Sequence, residues 1–412
     1  MSAGTPGARE LVSALARRSL GAFLEGGGTL DLRADGPPRV SVLLLLCNRA
    51  ELTFNCLQTL ALRLNRTACE VVVVDNGSTD ETPRLLERAL GLTVVRNAEN
   101  VGFPRAVNQA ARLASGDYLL LLNNDAQVLG RGIDVAAEYL AANPGVGAVG
   151  AKIVFLDGTL QEAGCTVCRN GWPLPYGRGG DPDDAAFAFE REVDFCSGAF
   201  LMTPRKLFAR LGGLEEEFSP GYFEDPDYCI RVRQAGRRVV YLPGVEVLHY
   251  ENGTSAGLFD VAELMRRNHG RFTAKHAGWL RGRPDADWPT VLTRTADPLP
   301  FRVLLLGDGL AEVVPGLVAR MHALGALVTL CLGPADALAL GPDLAALPRT
   351  TEVLSLSAAE QRGDSLAARA RGYDLVVAAE AGRLAVLQTP CALWRNGRLS
   401  LLPARTKLAA VA

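Results

Sequence analysis

The sequence has no excess of either charge: 43 basic residues stand against 45 acidic ones in 412 residues, a formal net charge of −2. Nucleic-acid binders normally carry a basic face that neutralises phosphates, so no nucleic-acid partner is expected. Lysine is scarce, confined to Lys152, Lys206, Lys275 and Lys407, and no arginine cluster stands in for it. Long polar tracts are also missing, and an apolar share of 48% excludes wholesale disorder. The apolar runs are short: Val40–Cys47 and Val71–Val74 are strand-sized, well under the roughly 18–20 residues of a membrane span. Met1–Glu10 shows no basic segment leading into an apolar core, so cytoplasmic residence is expected, with any membrane contact peripheral.

The nine cysteines are scattered and odd in number, which fits reduced, buried thiols better than a disulfide framework. Cys165 and Cys168 form a lone Cys-x-x-Cys with no second pair and no matching histidine pair, so zinc is not expected there. No repeat of 20–50 residues is apparent.

The length suits two or three domains. Residues 1–38 read as a helical appendage, amphipathic from Glu10 to Leu24 and closed by Gly26–Gly28 and Pro37-Pro38. From Arg39 the chain alternates strand-like runs, Val40–Leu46, Glu70–Asp75, Leu92–Arg96 and Asp117–Leu122, with helix-like segments, Leu52–Leu64, Thr82–Leu90 and Pro104–Ala114. That alternation predicts an α/β fold with a parallel sheet covered by helices on both faces. Farther on, Val193–Thr203 reads as a strand, Pro204–Leu211 and Tyr228–Ala235 as helices, Arg238–Tyr241 and Val245–Leu248 as strands, and 258–281 as a helix. A catalytic unit over 39–282, a Pro- and Asp-rich linker over 283–299 and a smaller Rossmann-like α/β unit over 300–412 are expected. In the last, strands Arg302–Leu306, Leu327–Leu332 and Tyr373–Ala378 alternate with helices Val313–Leu324 and Ala358–Ala370, and Gly307-x-Gly309 lacks the third glycine of a dinucleotide fingerprint.

In parallel sheets ligands sit beyond the carboxyl ends of the strands. Here those ends are polar: Asn48-Arg49, then Asp75 to Asp80, then Asn97, Glu99 and Asn100, then Asn123-Asn124-Asp125. Each cluster alone fits a turn or helix cap, but four on one sheet edge form a rim suited to a polar ligand.

These residues resemble the inverting family-2 glycosyltransferases of the GT-A fold. The likeness rests on Val40–Leu44 with Asn48, Val72–Asp80, Asn100-x-Gly102-Phe103 with Asn108, Gly116–Tyr118 through Asp125, Gly198–Phe200, Gly212–Leu214, Phe223-Glu224-Asp225-x-Asp227, Arg231, Gly236 and His249. It covers about Arg39 to Ser255 and is most similar to the rhamnosyltransferase-like branch. The resemblance implies a pyrimidine nucleotide-sugar donor, UDP- or dTDP-linked with the branch favouring dTDP-rhamnose, bound by Asn48, Arg49, Asp75, Gly102, Asn108, Asn123, Asn124 and Asp125. It implies a divalent cation, Mn²⁺ or Mg²⁺, at Asp125 and His249, with Asn123 supplying a neutral group where the family usually has an aspartate. It makes Asp225 the general base with Glu224 beside it, since adjacent carboxylates push a pKa upward. Trp172, Tyr222 and Phe223 are expected at the acceptor, which is a glycan, a lipid-linked sugar or another glycoconjugate. Tyr176 shares their loop-like surroundings. The C-terminal unit resembles the first half of a GT-B glycosyltransferase and is expected to be noncatalytic, serving acceptor binding, docking or homodimerisation. A nucleotidyltransferase would carry a Gly-rich basic loop after its first strand, whereas Leu46–Ala50 has no glycine. The remaining alternative is a catalytically weak or inactive GT-A-fold scaffold or binding protein.

Overall fold

A computed structural model describes residues 6–62, 65–184, 187–251, 260–283, 302–306, 313–323, 327–344, 347, 351–355, 373, 375–379, 391–395 and 398–401. The chain divides into two compact units, one comprising 1–182 and 190–297, the other 183–189 and 298–412.

The first unit opens with α1 (Pro6–Glu25) and continues with β1 (Val40–Leu46), α2 (Ala50–Ala61), β2 (Cys69–Asn76), α3 (Thr82–Glu87), β3 (Leu92–Asn97), α4 (Phe103–Leu113) and β4 (Tyr118–Asn123). Then come β5 (Ala126–Val128), α5 (Gly132–Ala142), β6 (Val146–Phe155), β7 (Leu160–Ala163), β8 (Arg191–Glu192), β9 (Phe200–Pro204), α6 (Arg205–Arg210), α7 (Glu224–Gln234), β10 (Arg238–His249) and α8 (Val261–Lys275). The β-branched and leucine runs become the central strands because both faces are covered: Val71–Val74 and Leu119–Leu122 are all buried. Helix α1 joins this core through Leu20 and Leu24, and its Phe23 ring lies 4.7 Å from Phe54 of α2.

These strands form one ten-stranded sheet in the order β8-β10-β6-β9-β4-β1-β2-β3, with β5 on β10 and β7 on β6. Strands β1 to β4 pair in parallel as expected, whereas β9 runs antiparallel between β4 and β6, so the sheet is mixed. The segment expected to be one strand over Val193–Thr203 is strand only from Phe200, because a turn at Gly198-Ala199 interrupts it. The expected helix Thr82–Leu90 stops at Glu87, since Ala89 and Leu90 pair instead with Leu30 and Asp31. The two strands expected between Arg238 and Leu248 are one, β10, bent by an irregularity between Leu242 and Glu246.

The second unit holds β11 (Arg302–Leu306), α9 (Val314–Ala323), β12 (Leu327–Leu332), β13 (Glu352–Ser355), β14 (Leu375–Ala378), β15 (Cys391–Arg395) and β16 (Arg398–Leu401). Its sheet runs β13-β12-β11-β14-β15-β16, parallel except for the final antiparallel pair. Gly307-x-Gly309, the helix Ala358–Ala370 and the linker from residue 284 onward lie outside the described residues. Among the described residues no helix is long and apolar enough to cross a membrane. Among the described residues eight cysteines stand outside any disulfide, Cys165 and Cys168 both buried.

Candidate active site

At the carboxyl edge of β1, β2 and β4 lies a cavity of about 470 Å³. Its polar wall carries Asn76, Asn100, Asn123, Asn124, Asp125, Gln161, Glu162, Arg178, Glu224, Asp225, His249 and Glu251. Phe103, Phe195, Tyr222, Phe223 and Met265 supply apolar surface.

Two halves of the sheet meet at the first polar centre. Strand β10 pairs with β5 so that His249 opposes Ala126, and Tyr250 N–H donates to the Asp125 carbonyl at 3.0 Å. This sets His249 Nε2 3.1 Å from Asp125 Oδ1 and 3.3 Å from Asn123 Nδ2, while Nδ1 faces Gln161 Oε1 at 2.9 Å. Burial works against a charged imidazole, but Asp125 outweighs it and raises the His249 pKa above its ordinary 6.5. Asn124 turns its amide to Thr53 Oγ1 at 3.0 Å.

The second centre is the start of α7. Tyr222 and Phe223 adopt positive φ (70° and 75°), a sharp reversal that delivers Glu224 and Asp225 to the cavity. Asp225 Oδ2 accepts from Gly198 N–H at 3.1 Å, and burial raises its pKa to about 6. Glu224 is buried, its Oε2 has no hydrogen-bond partner among the described residues, and burial with the neighbouring Asp225 charge holds its pKa well above the ordinary carboxylate value. Asp227 instead turns inward: Arg231 Nε, Lys275 Nζ and His276 Nε2 each lie 2.8 Å from its carboxylate. Arg231 also donates to the Leu211 and Gly213 carbonyls, both at 2.8 Å, tying the Gly212–Leu214 turn to α7.

Of the residues expected at the site, Asn123, Asn124, Asp125, His249, Glu224, Asp225, Tyr222 and Phe223 converge on the cavity, and six do not line it. Asn48 and Arg49 both take left-handed backbone (φ 59° and 61°); Asn48 Oδ1 accepts from Thr79 N–H at 2.8 Å and Arg49 donates to Glu51 at 3.0 Å. Asp75 is buried and accepts from Ser78 N–H at 3.0 Å, so Asn76, one residue on, lines the cavity in its place. Asn108 clamps Leu214, accepting from its N–H and donating to its carbonyl, each at 2.9 Å. Gly102 is a close-approach position: φ is +88°, and a Cβ there would lie 2.8 Å from Pro220 Cα. Trp172 stacks on His269 at 4.3 Å, and Tyr176 is buried under Arg191.

Sequence reasoning passed over Gln161, Glu162 and Arg178. They lie in a stretch without motif residues, and they reach the cavity through β7 and the loop after it. Burial and the Asp225 charge raise the Glu162 carboxyl to about 7, against the opposing pull of the Ser197 amide. Arg178 Nη2 donates to both Glu251 oxygens at 2.9 Å, and its guanidinium lies 4.8 Å from the Phe155 ring centre.

Residues 41–212 match the family model for Glycosyl transferase family 2. The O-antigen biosynthesis protein RfbC of Myxococcus xanthus is 29% identical over 306 residues, 70% of this chain and 23% of that protein. The N-acetylglucosaminyl-diphospho-decaprenol L-rhamnosyltransferase of Mycobacterium tuberculosis is 28% identical over 242 residues, 51% of this chain and 76% of that enzyme. The solved structure of the mannosyltransferase PcManGT from Pyrobaculum calidifontis aligns with a TM-score of 0.42 at 22% identity, covering 82% of this chain and 93% of that one. The chain spans about a quarter of the length of the first curated relatives, 23% and 26%. The motif order and the family match agree: residues 41–212 are similar to the glycosyl transferase family 2 domain.

Proposed function

We propose that this chain transfers a sugar, with inversion, from a pyrimidine nucleoside diphosphate donor to an acceptor hydroxyl. The observation that carries this reading is one cavity holding both the Asp125–His249 pair and the Glu224–Asp225 pair. Such a transfer needs a group that handles diphosphate charge and a separate group that removes a proton. The relative that acts as an L-rhamnosyltransferase on a decaprenol-diphosphate sugar favours a dTDP-rhamnose donor and a lipid-diphosphate-linked acceptor in polysaccharide biosynthesis.

Asp225 is the base. Its Oδ2 is fixed by Gly198 N–H, which leaves Oδ1 to take the proton of the acceptor hydroxyl. The acceptor oxygen forms its bond to the anomeric carbon as the bond from that carbon to the phosphate oxygen breaks, and the nucleoside diphosphate departs. Burial and the Asp225 charge push the Glu224 carboxyl toward its neutral form, which limits the negative charge on the site. Asn76 and Asn100, linked at 3.3 Å, face the nucleotide end.

A divalent cation fits the first centre only with help from the donor. Among the described residues no group of three metal-binding side chains occurs, and Asp125 with His249 offers two ligands. Mg²⁺ and Mn²⁺ are commonly held by one or two side chains plus phosphate oxygens and water, so this pair suffices once a diphosphate is bound. When bound, the ion neutralises charge on the leaving diphosphate. Asn123 adds an uncharged contact to His249. The second unit is assigned a noncatalytic part in docking the acceptor or a second copy, and residence on the cytoplasmic side of a membrane suits a lipid-linked acceptor.

A donor screen by thermal shift and donor hydrolysis, with and without Mn²⁺ or Mg²⁺, tests this reading. Binding to the native state raises the melting temperature, by mass action. UDP or dTDP and their sugars are expected to stabilise the protein, more so with the cation. No stabilisation by any pyrimidine diphosphate would favour the scaffold reading.

A further inference from the structure

Strand β7 pairs with β6 in a register that slips by one residue: Ile153 opposes Glu162, but Val154 opposes Leu160. Gln161 is therefore the extra residue of a β-bulge. A bulge turns two consecutive side chains toward one face, where a regular strand would send them to opposite faces, and bulges recur beside functional sites. Gln161 and Glu162 accordingly both line the cavity, Gln161 reaching His249 Nδ1 at 2.9 Å.

Glu162 goes to the other centre. Its Oε1 accepts from Ser197 N–H at 3.1 Å, just as Asp225 Oδ2 accepts from the next amide, Gly198 N–H, at 3.1 Å. Two consecutive amides of one turn thus hold two carboxylates side by side in the cavity wall. Glu162 is buried, and among the described residues its other oxygen meets only the weak donor Cys165 Sγ at 3.5 Å. An ionised carboxylate has about four acceptor positions, and a buried one with capacity to spare favours a ligand that brings donors. Sugar hydroxyls are such donors.

Resting on the sugar-transfer reading, we infer that Glu162 binds a hydroxyl of the sugar ring lying beside Asp225 and so helps set which sugar the enzyme accepts. The ring belongs either to the donor or to the acceptor; both present the same chemistry.

The test uses the full chain and the variants Glu162→Gln and Glu162→Ala. In the donor arm, thermal shifts are compared for dTDP against dTDP-rhamnose and for UDP against UDP-galactose. If the ring is the donor's, the sugar nucleotide stabilises the wild type beyond the bare diphosphate, and Glu162→Gln removes that increment while keeping the diphosphate shift. In the acceptor arm, a polyprenyl-diphosphate-linked N-acetylglucosamine serves as probe. If the ring is the acceptor's, its KM rises about tenfold in Glu162→Gln while the thermal shift given by the donor nucleotide keeps its wild-type size. Glu162→Gln keeps the shape of the side chain and decides the matter should Glu162→Ala fail to fold. Variants in which neither the increment nor the acceptor KM moves would overturn the role of Glu162 alone. A wild type shifted by none of the nucleotides would overturn the transfer reading and this inference with it.

Discussion

His249 Nε2 lies 3.1 Å from Asp125 Oδ1 across 124 residues of sequence. The contact depends on β5 and β10 meeting in a single register, with Gln161 holding the far side of the ring. If this pair handles the diphosphate, His249→Ala and Asp125→Ala should each lower kcat/KM by about a hundredfold, the cost typical of losing one charge-stabilising group. Both should also abolish the extra stabilisation that Mn²⁺ gives to a bound diphosphate, measured by thermal shift.

Activity should have an acidic limb set by Asp225. A carboxyl raised to about 6 carries its proton below that pH and cannot accept another. A plot of kcat/KM against pH should therefore fall toward acid, about tenfold per pH unit below roughly 6. Burial and the Asp225 charge hold the neighbouring Glu224 carboxyl well above the ordinary carboxylate value.

Asp227 should matter to stability. Its carboxylate is fully buried against Arg231, Lys275 and His276, whose bonds outweigh the cost of burial and hold its pKa below the ordinary carboxylate range. Asp227→Ala takes from Arg231 and His276 their buried carboxylate partner, while Lys275 keeps Glu215 at 3.0 Å, and should cost about 3–5 kcal/mol by chemical denaturation. Because the folded pKa is depressed, the stabilisation is present at neutral pH and is lost as pH falls through that pKa. The pH dependence of the denaturation midpoint in acid should flatten in the variant.

Gly102→Ala should destabilise the site's rim without touching its chemistry. The residue sits at φ +88° and its Cβ would lie 2.8 Å from Pro220 Cα, backbone that cannot swing aside. Positive φ alone costs a non-glycine residue about 1–2 kcal/mol, and the clash adds to it. Thermal denaturation should show a loss of about 2 kcal/mol or more.

The parallel half of the sheet was legible because each strand is a short run of β-branched or leucine residues ending in polar groups. Asn123 to Asp125, His249, Glu224 and Asp225 were legible because the family motifs name them. Asn48, Asp75 and Asn108 carry equally distinctive motif text, yet their hydrogen bonds go to neighbouring backbone. Short polar residues at strand ends serve turns and ligands alike, and sequence does not separate the two uses. Glu162 was hidden for a different reason. A one-residue register slip aims it at the cavity, and such a slip leaves no mark in the order of residues.

The most direct test is transfer by Asp225→Asn, measured alongside donor binding. With Asp225 as base, the variant should bind nucleotide sugar with the wild-type thermal shift, yet lose about 10²–10⁴-fold in kcat, the usual worth of a positioned base. A variant that binds donor and keeps most of the transfer rate would contradict the assignment.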